Sequence, residues 1–129
     1  MKYLLDTQAV IWSLEDDPRL SKQARNAIDH EDNEITITIV SLWEIAIKRG
    51  VGKLNFKPTL DDIIKQTEVS EFNFLNLTVE HLKTLEELAY VDNHRDPFDR
   101  LIISQAQTEN LIIITTDPQF KNYSINTLW

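Results

Sequence analysis

The chain has 129 residues, 42% hydrophobic and 26% charged, which are ordinary proportions for a globular protein. It contains no cysteine, which excludes a disulfide framework and a thiolate zinc site. A formal charge of −8 argues against a broadly basic nucleic-acid-binding surface, although acids that hold a metal contribute negative charge of their own.

Residues 2–6 form a short apolar run ending in Asp6, as a buried strand does at its carboxyl edge. The same carboxylate interrupts any signal-peptide core, and no apolar run approaches the ~20 residues needed to span a bilayer. A soluble, cytoplasmic protein without a membrane partner is therefore expected, as one domain over residues 1–129. Residues 7–14 read as a helix with Val10, Ile11 and Leu14 inward. Asp16-Asp17-Pro18 breaks it, and residues 21–31 make a second helix with Ala24, Ala27 and Ile28 on one face. After an acidic turn, residues 35–40 alternate with period two and are rich in β-branched residues, which predicts a strand.

Ser41 fits a helix N-cap, and Glu44 stands at the capping-box spacing for a helix over 42–49, stopped by Gly50 and Gly52. Residues 53–58 are loop-like, and Thr59 caps a helix over 60–67. A strand is predicted over 72–77, and Thr78 caps a helix over 79–88. Asp96, Pro97 and Asp99 then carry the signature of a helix start: cap, first position and first-turn acid. Leu101, Ile102, Ile103 and Ala106 supply that helix's apolar face, and Asn110 suits its C-cap. Residues 111–115 read as a buried strand, followed by Thr116-Asp117-Pro118, and residues 123–128 add a last short strand.

Strands alternating with helices predict an α/β fold with a mostly parallel sheet covered on both faces. With two glycines in the chain, the phosphate-binding loops of dinucleotide and P-loop folds are absent. In open parallel sheets ligands bind outside the carboxyl ends of the strands. Four acids stand at such junctions: Asp6 after the first strand, Glu44 after the second, Asp99 at a helix start, and Asp117 after the 111–115 strand. Each alone is explained by capping or solvation. Brought together they repel, and a cation is the natural relief. Oxygen-only ligation suits Mg2+ or Mn2+, which position water and stabilise a phosphodiester under attack. A covalent route lacks a nucleophile, since Ser41 and Ser104 have no histidine partner in sequence.

Four stretches, Tyr3-Leu-Leu-Asp-Thr7, Ser41-Leu-Trp-Glu-Ile-Ala46, His94-Arg-Asp-Pro-Phe-Asp-Arg-Leu-Ile-Ile103 and Ile114-Thr-Thr-Asp117, fall in order across nearly the whole chain. With them the sequence resembles the PIN-domain family, specifically the VapC-like toxin ribonucleases of type II toxin–antitoxin pairs. The resemblance implies a three-layer α/β/α fold and a metal-dependent endoribonuclease for single-stranded RNA. It implies Asp6, Glu44, Asp99 and Asp117 as catalytic and metal-binding acids. Asp6 and Asp99 would be direct ligands, with Glu44 completing the site or holding a coordinated water. Asp117 would act from the periphery or on a second ion, preceded by Thr116. Homodimers and a small antitoxin covering the acidic site are also implied.

Plainer roles stand beside these. Asp96 is explained by its cap. His94 is expected to be an exposed loop histidine that orders the turn, with RNA contact or proton donation as the other reading. Arg100 is expected to bind phosphate or pair with a neighbouring carboxylate, and Arg95 shares the phosphate reading. Lys48, Arg49, Lys53 and Lys57 form a solvated basic face or a phosphate strip. Thr7 and Thr116 either orient water or cap turns. Trp12 and Trp43 read as core or dimer-interface aromatics, and His30 and His81 as surface helix residues. A receiver domain would need paired acids where Asp6-Thr7 stands, and an Asp-x-Asp phosphatase would need an acid at Gln8. A non-catalytic PIN-like protein that binds RNA or an antitoxin is the competing function.

Overall fold

The computed structural model describes all 129 residues. In chain order the elements are β1 (Lys2–Leu5), α1 (Thr7–Glu15), α2 (Lys22–Asp29), β2 (Glu34–Thr38), α3 (Ile39–Gly50), α4 (Leu60–Val69), β3 (Asn73–Leu75), α5 (Val79–Glu87), α6 (Pro97–Glu109), β4 (Ile112–Ile114) and β5 (Thr127–Leu128). A short 3-10 turn at Pro118–Asn122 links the last two strands. The five strands lie in the order β3-β2-β1-β4-β5, and every pairing is parallel.

The period of two along each strand sorts the apolar side chains into two layers. Tyr3, Leu5, Ile35, Ile37 and Ile114 face α1 and α2, packing on Val10, Ala24, Ala27 and Ile28. Leu4 and Ile113 face the other way, onto Ile102, Ile103 and Ala106 of α6. A third cluster, Ile11, Leu42, Ile45, Phe56 and Ile63, joins α1, α3, α4 and the loop between the last two. The outcome is the α/β/α sandwich expected from the alternation of strands and helices, with a sheet that is parallel throughout.

Several boundaries move. β2 ends at Thr38, two residues before the end of the β-branched run, because the Thr38 side chain accepts from Val40 N–H at 3.1 Å and starts α3 there. Ser41 is consequently not the cap. It lies inside α3, fully buried, with its Oγ 3.0 Å from Thr7 Oγ1. The caps read at Thr59, Thr78, Asp96 and Asn110 all form, Asn110 in the left-handed region at φ 55°.

Two histidines are misplaced by the sequence reading. His81 is not on the surface: its Nδ1 accepts from Thr78 N–H at 3.0 Å, and its Nε2 lies 2.9 Å from Glu109 on α6. His94 is also buried, as described below. A helical position facing a neighbouring helix and one facing water carry the same local pattern, so burial of these rings was decided by the packing of α5 and residues 88–95 against α6.

Candidate functional site

β1 continues to β2 on one side and β4 lies on its other side, so the strand order reverses at β1/β4. Crevices form outside the carboxyl ends of strands at such a point. Asp6 follows β1 directly and is almost fully buried. Its backbone N–H is bonded to Ile114 C=O at 3.1 Å, and its side chain caps α1 by accepting from Ala9 N–H at 2.7 Å. The other carboxylate oxygen accepts from the Thr115 hydroxyl at 2.6 Å, across the β1/β4 seam. The same hydroxyl accepts from Asp117 N–H at 3.1 Å, so one threonine sets the relation of two acids. Thr116, read from the sequence as orienting water or capping a turn, is exposed and lines the same cleft, while Thr115 before it carries no signal in the sequence.

Glu44 does not begin its helix, as the early-cap reading had it, but lies in the second turn of α3. It reaches the crevice because α3 packs against α1, and it is buried there. Thr7 of α1 donates to Glu44 Oε1 at 2.6 Å, and Lys48, one turn further along α3, places Nζ 2.5 Å from Oε2. Asp99 sits in the first turn of α6, whose N-cap is Asp96, with Asp99 N–H donating to Asp96 Oδ1 at 2.9 Å. Asp117 caps the 3-10 turn by accepting from Gln119 N–H at 2.9 Å. Asp6, Glu44, Asp96, Asp99 and Asp117 line one cleft of about 300 Å3, together with Thr7, Gln8, Lys48 and Thr116. Folding thus gathers all four acids singled out in the sequence, plus the cap residue beside them.

His94 holds Asp99 from behind. Its Nε2 is 3.0 Å from Asp99 Oδ2 and its Nδ1 is 3.0 Å from the Tyr123 hydroxyl. Arg100 Nη1 lies 3.4 Å from the same hydroxyl and donates to Ala89 C=O at 2.9 Å, while Nη2 donates to Leu88 C=O at 2.7 Å. The guanidinium therefore faces neither a phosphate nor a carboxylate. It is buried, stacks 3.9 Å from the Tyr90 ring centroid, and pins the 88–95 connection to α6. Both ring nitrogens of His94 are thus engaged inside the protein, Nδ1 by the Tyr123 hydroxyl and Nε2 by the Asp99 carboxylate. The ligating atoms of His94, Asp99 and Asp117 lie within 4.8 Å of one another. Of the strip of cations, Lys48 is bound to Glu44, and Arg49 donates to the Phe56 and Pro58 carbonyls.

Burial, more than crowding, moves the carboxyls of the site from their ordinary values. Burial raises the Asp6 carboxyl to about 7, against the Thr115 and Ala9 hydrogen bonds and with the charges of Asp99 and Glu44. Burial likewise raises Asp99 to about 6, against the His94 bond and with the charges of Asp96 and Glu44. Lys48 is raised by its bond to Glu44.

The PIN-domain family model matches residues 3–126. The chain belongs to the PIN-domain family. No curated protein matches its sequence. Among solved structures, this PIN domain is similar to VapBC-1 from nontypeable Haemophilus influenzae at TM-score 0.72 and 19% identity, over 99% of this chain and 97% of the other. VapBC2 from Rickettsia felis bound to a DNA fragment from its promoter gives TM-score 0.69 and 19% identity, over 99% and 98%. A toxin–antitoxin complex from Klebsiella pneumoniae gives 0.63 and 16%, over 98% and 96%. At these identities the likeness is one of PIN fold.

Proposed function

We propose that this PIN domain is a divalent-metal-dependent endoribonuclease for single-stranded RNA, the toxin of a type II toxin–antitoxin pair. The observation that carries the reading is the single cleft at the β1/β4 reversal lined by Asp6, Glu44, Asp99 and Asp117. Five carboxylates, counting Asp96, with one lysine among them repel one another when ionised, and a bound cation relieves that repulsion. The donor set fits a hard ion: it is dominated by carboxylate oxygen, with no cysteine anywhere in the chain. Asp6, Asp99 and Glu44 would hold Mg2+ or Mn2+, with Asp117 at the edge of the site.

A divalent ion there supplies positive charge at a phosphodiester and makes water a better nucleophile. The protein's own part is orientation. Thr115 and Ala9 fix both oxygens of Asp6, Thr7 fixes Glu44, and His94 fixes Asp99, so no carboxylate has to be ordered during reaction. At a net charge of −8 the attraction for RNA has to come from a cation held in the cleft rather than from a basic surface. The similarity to VapBC structures supports a small antitoxin as partner. An arginine or lysine reaching these carboxylates would occupy the place of the ion. Ile39, Trp43 and Ile47 form an exposed apolar row along α3, with Val51 just past its end and Trp43 edge-on to Phe98 at 5.0 Å, which supports the homodimer.

The test is cleavage of single-stranded oligoribonucleotides by purified protein with Mg2+ or Mn2+ and with EDTA. Cleavage leaving 5′-phosphate ends is expected, abolished by EDTA, and reduced by orders of magnitude in Asp6→Asn and Asp99→Asn while circular dichroism is unchanged. Full activity in both variants would refute the assignment. Binding of RNA without cleavage in either metal would instead favour a non-catalytic PIN domain.

A further inference from the structure

Lys48 is the one basic side chain among the twelve residues lining the acidic cleft. It stands four residues after Glu44 on α3, so both side chains project from the same helix face. Its ammonium lies 2.5 Å from Glu44 Oε2, and the charges of Asp96 and Asp99 act on it as well. The lysine side chain is 44% exposed while that of Glu44 is 6% exposed, so the cation sits at the mouth and the carboxylate at the wall. The neighbouring Arg49 cannot substitute, because its guanidinium is committed to the Phe56 and Pro58 carbonyls.

We propose that Lys48 is the phosphate-contacting cation of this cleft, resting on Glu44 until a divalent ion takes that carboxylate and then engaging a backbone phosphate of the RNA. This rests on the metal-dependent nuclease reading above. Glu44 Oε1 is held by Thr7, so Oε2 is where an added cation meets it, and Lys48 already stands there. Two cations cannot share that oxygen at contact distance without repulsion, so the mobile one yields. The lysine stem is flexible and its ammonium is a compact, strongly hydrated charge suited to a phosphate oxygen. A cleft with five carboxylates gives an incoming polyanion no other side-chain cation to meet.

Two effects of opposite sign follow from removing the charge. Lys48→Met keeps the helix-favouring stem and should bind Mn2+ several-fold more tightly in calorimetry without RNA, because the resident competitor is gone. The same variant should bind a non-cleavable single-stranded phosphodiester oligonucleotide more weakly in the presence of Mn2+. The slope of log affinity against log salt should fall by about 0.7, the value of one lost phosphate contact on a single strand. Its kcat/KM on RNA should drop 10- to 100-fold, and Lys48→Arg should restore oligonucleotide affinity. Thermal melts in Mn2+ establish that each variant is folded. If Lys48→Met binds Mn2+ no more tightly than the wild type, or keeps the wild-type salt slope, the proposal for Lys48 is overturned while the metal site stands. If the wild-type protein itself binds no Mn2+, the nuclease reading falls, and the lysine role with it.

Discussion

The residue that best shows how this site is built is His94. Its ring spends both nitrogens inside the protein, one on Tyr123 and one on Asp99, and so orients a carboxylate it does not replace. Outer partners of metal-binding carboxylates commonly contribute 10- to 100-fold to metal affinity. His94→Ala is expected to weaken Mn2+ binding by roughly that factor. His94→Gln, whose amide reaches the Nε2 position, should recover most of it. The sign in pH follows from the same bond. The His94 contact lowers the Asp99 carboxyl against the upward push of burial, so its loss moves the acid limb of the pH–rate profile to higher pH. An unshifted limb in His94→Ala would assign the histidine to packing alone.

At the scale of elements, the first turn of α6 sets a cap, Asp96, beside the proposed metal ligand Asp99. Asp96 lines the cleft, yet its Oδ1 is occupied by Asp99 N–H, which explains the residue as a cap. Serine makes the same bond, whereas alanine does not. Asp96→Ala should therefore lose about 1 kcal/mol of stability in chemical denaturation, and Asp96→Ser should lose little. Both should retain cleavage within an order of magnitude if Asp96 holds no ion. Strong loss of cleavage in a stable Asp96→Ser protein would make it a fifth ligand. Other elements aim their acids in the same way: the cap of α1 fixes Asp6, and the Thr38 cap starts α3 early enough for its second turn to carry Glu44 to the cleft.

For the whole molecule, the cleft sets stability against function. Asp6 and Asp99 have folded-state values of about 7 and about 6, above the ordinary 3.8 of the unfolded chain. The folded protein therefore binds more protons than the unfolded one between about pH 4 and 7, and these two groups make it less stable as pH rises through that window. Melts in EDTA should show this fall, on the order of several kcal/mol, with a smaller slope in Asp6→Asn, where the largest contributor is absent. Mn2+ needs the same carboxylates ionised, so it should raise Tm far more at pH 7.5 than at pH 5.5. An equal Mn2+ effect at both pH values would place the ion elsewhere.

What the residues alone determined was periodicity and punctuation. The apolar runs at 2–6, 35–40 and 111–115 marked strands, the last two longer than observed, the Thr59, Thr78 and Asp96 caps marked helix starts, and the acids at their junctions marked the edge where the cleft lies. Local signals of this kind depend on neighbours three or four positions away, so they are readable in one dimension. The tertiary structure decided the partners. It brought the Thr115 hydroxyl to Asp6, the His94 ring to Asp99 and the Arg100 guanidinium to two carbonyls, and it set Lys48 on Glu44 inside a cleft of like charge. Most of these contacts join side chains distant in sequence or cross between elements, and which polar group ends buried beside which depends on how α3 and α6 close over the reversal at β1. No spacing rule encodes that closure, because it is set by the packing of three apolar clusters drawn from the whole chain, one of which lends Ile11 and Ile45 to the wall of the cleft.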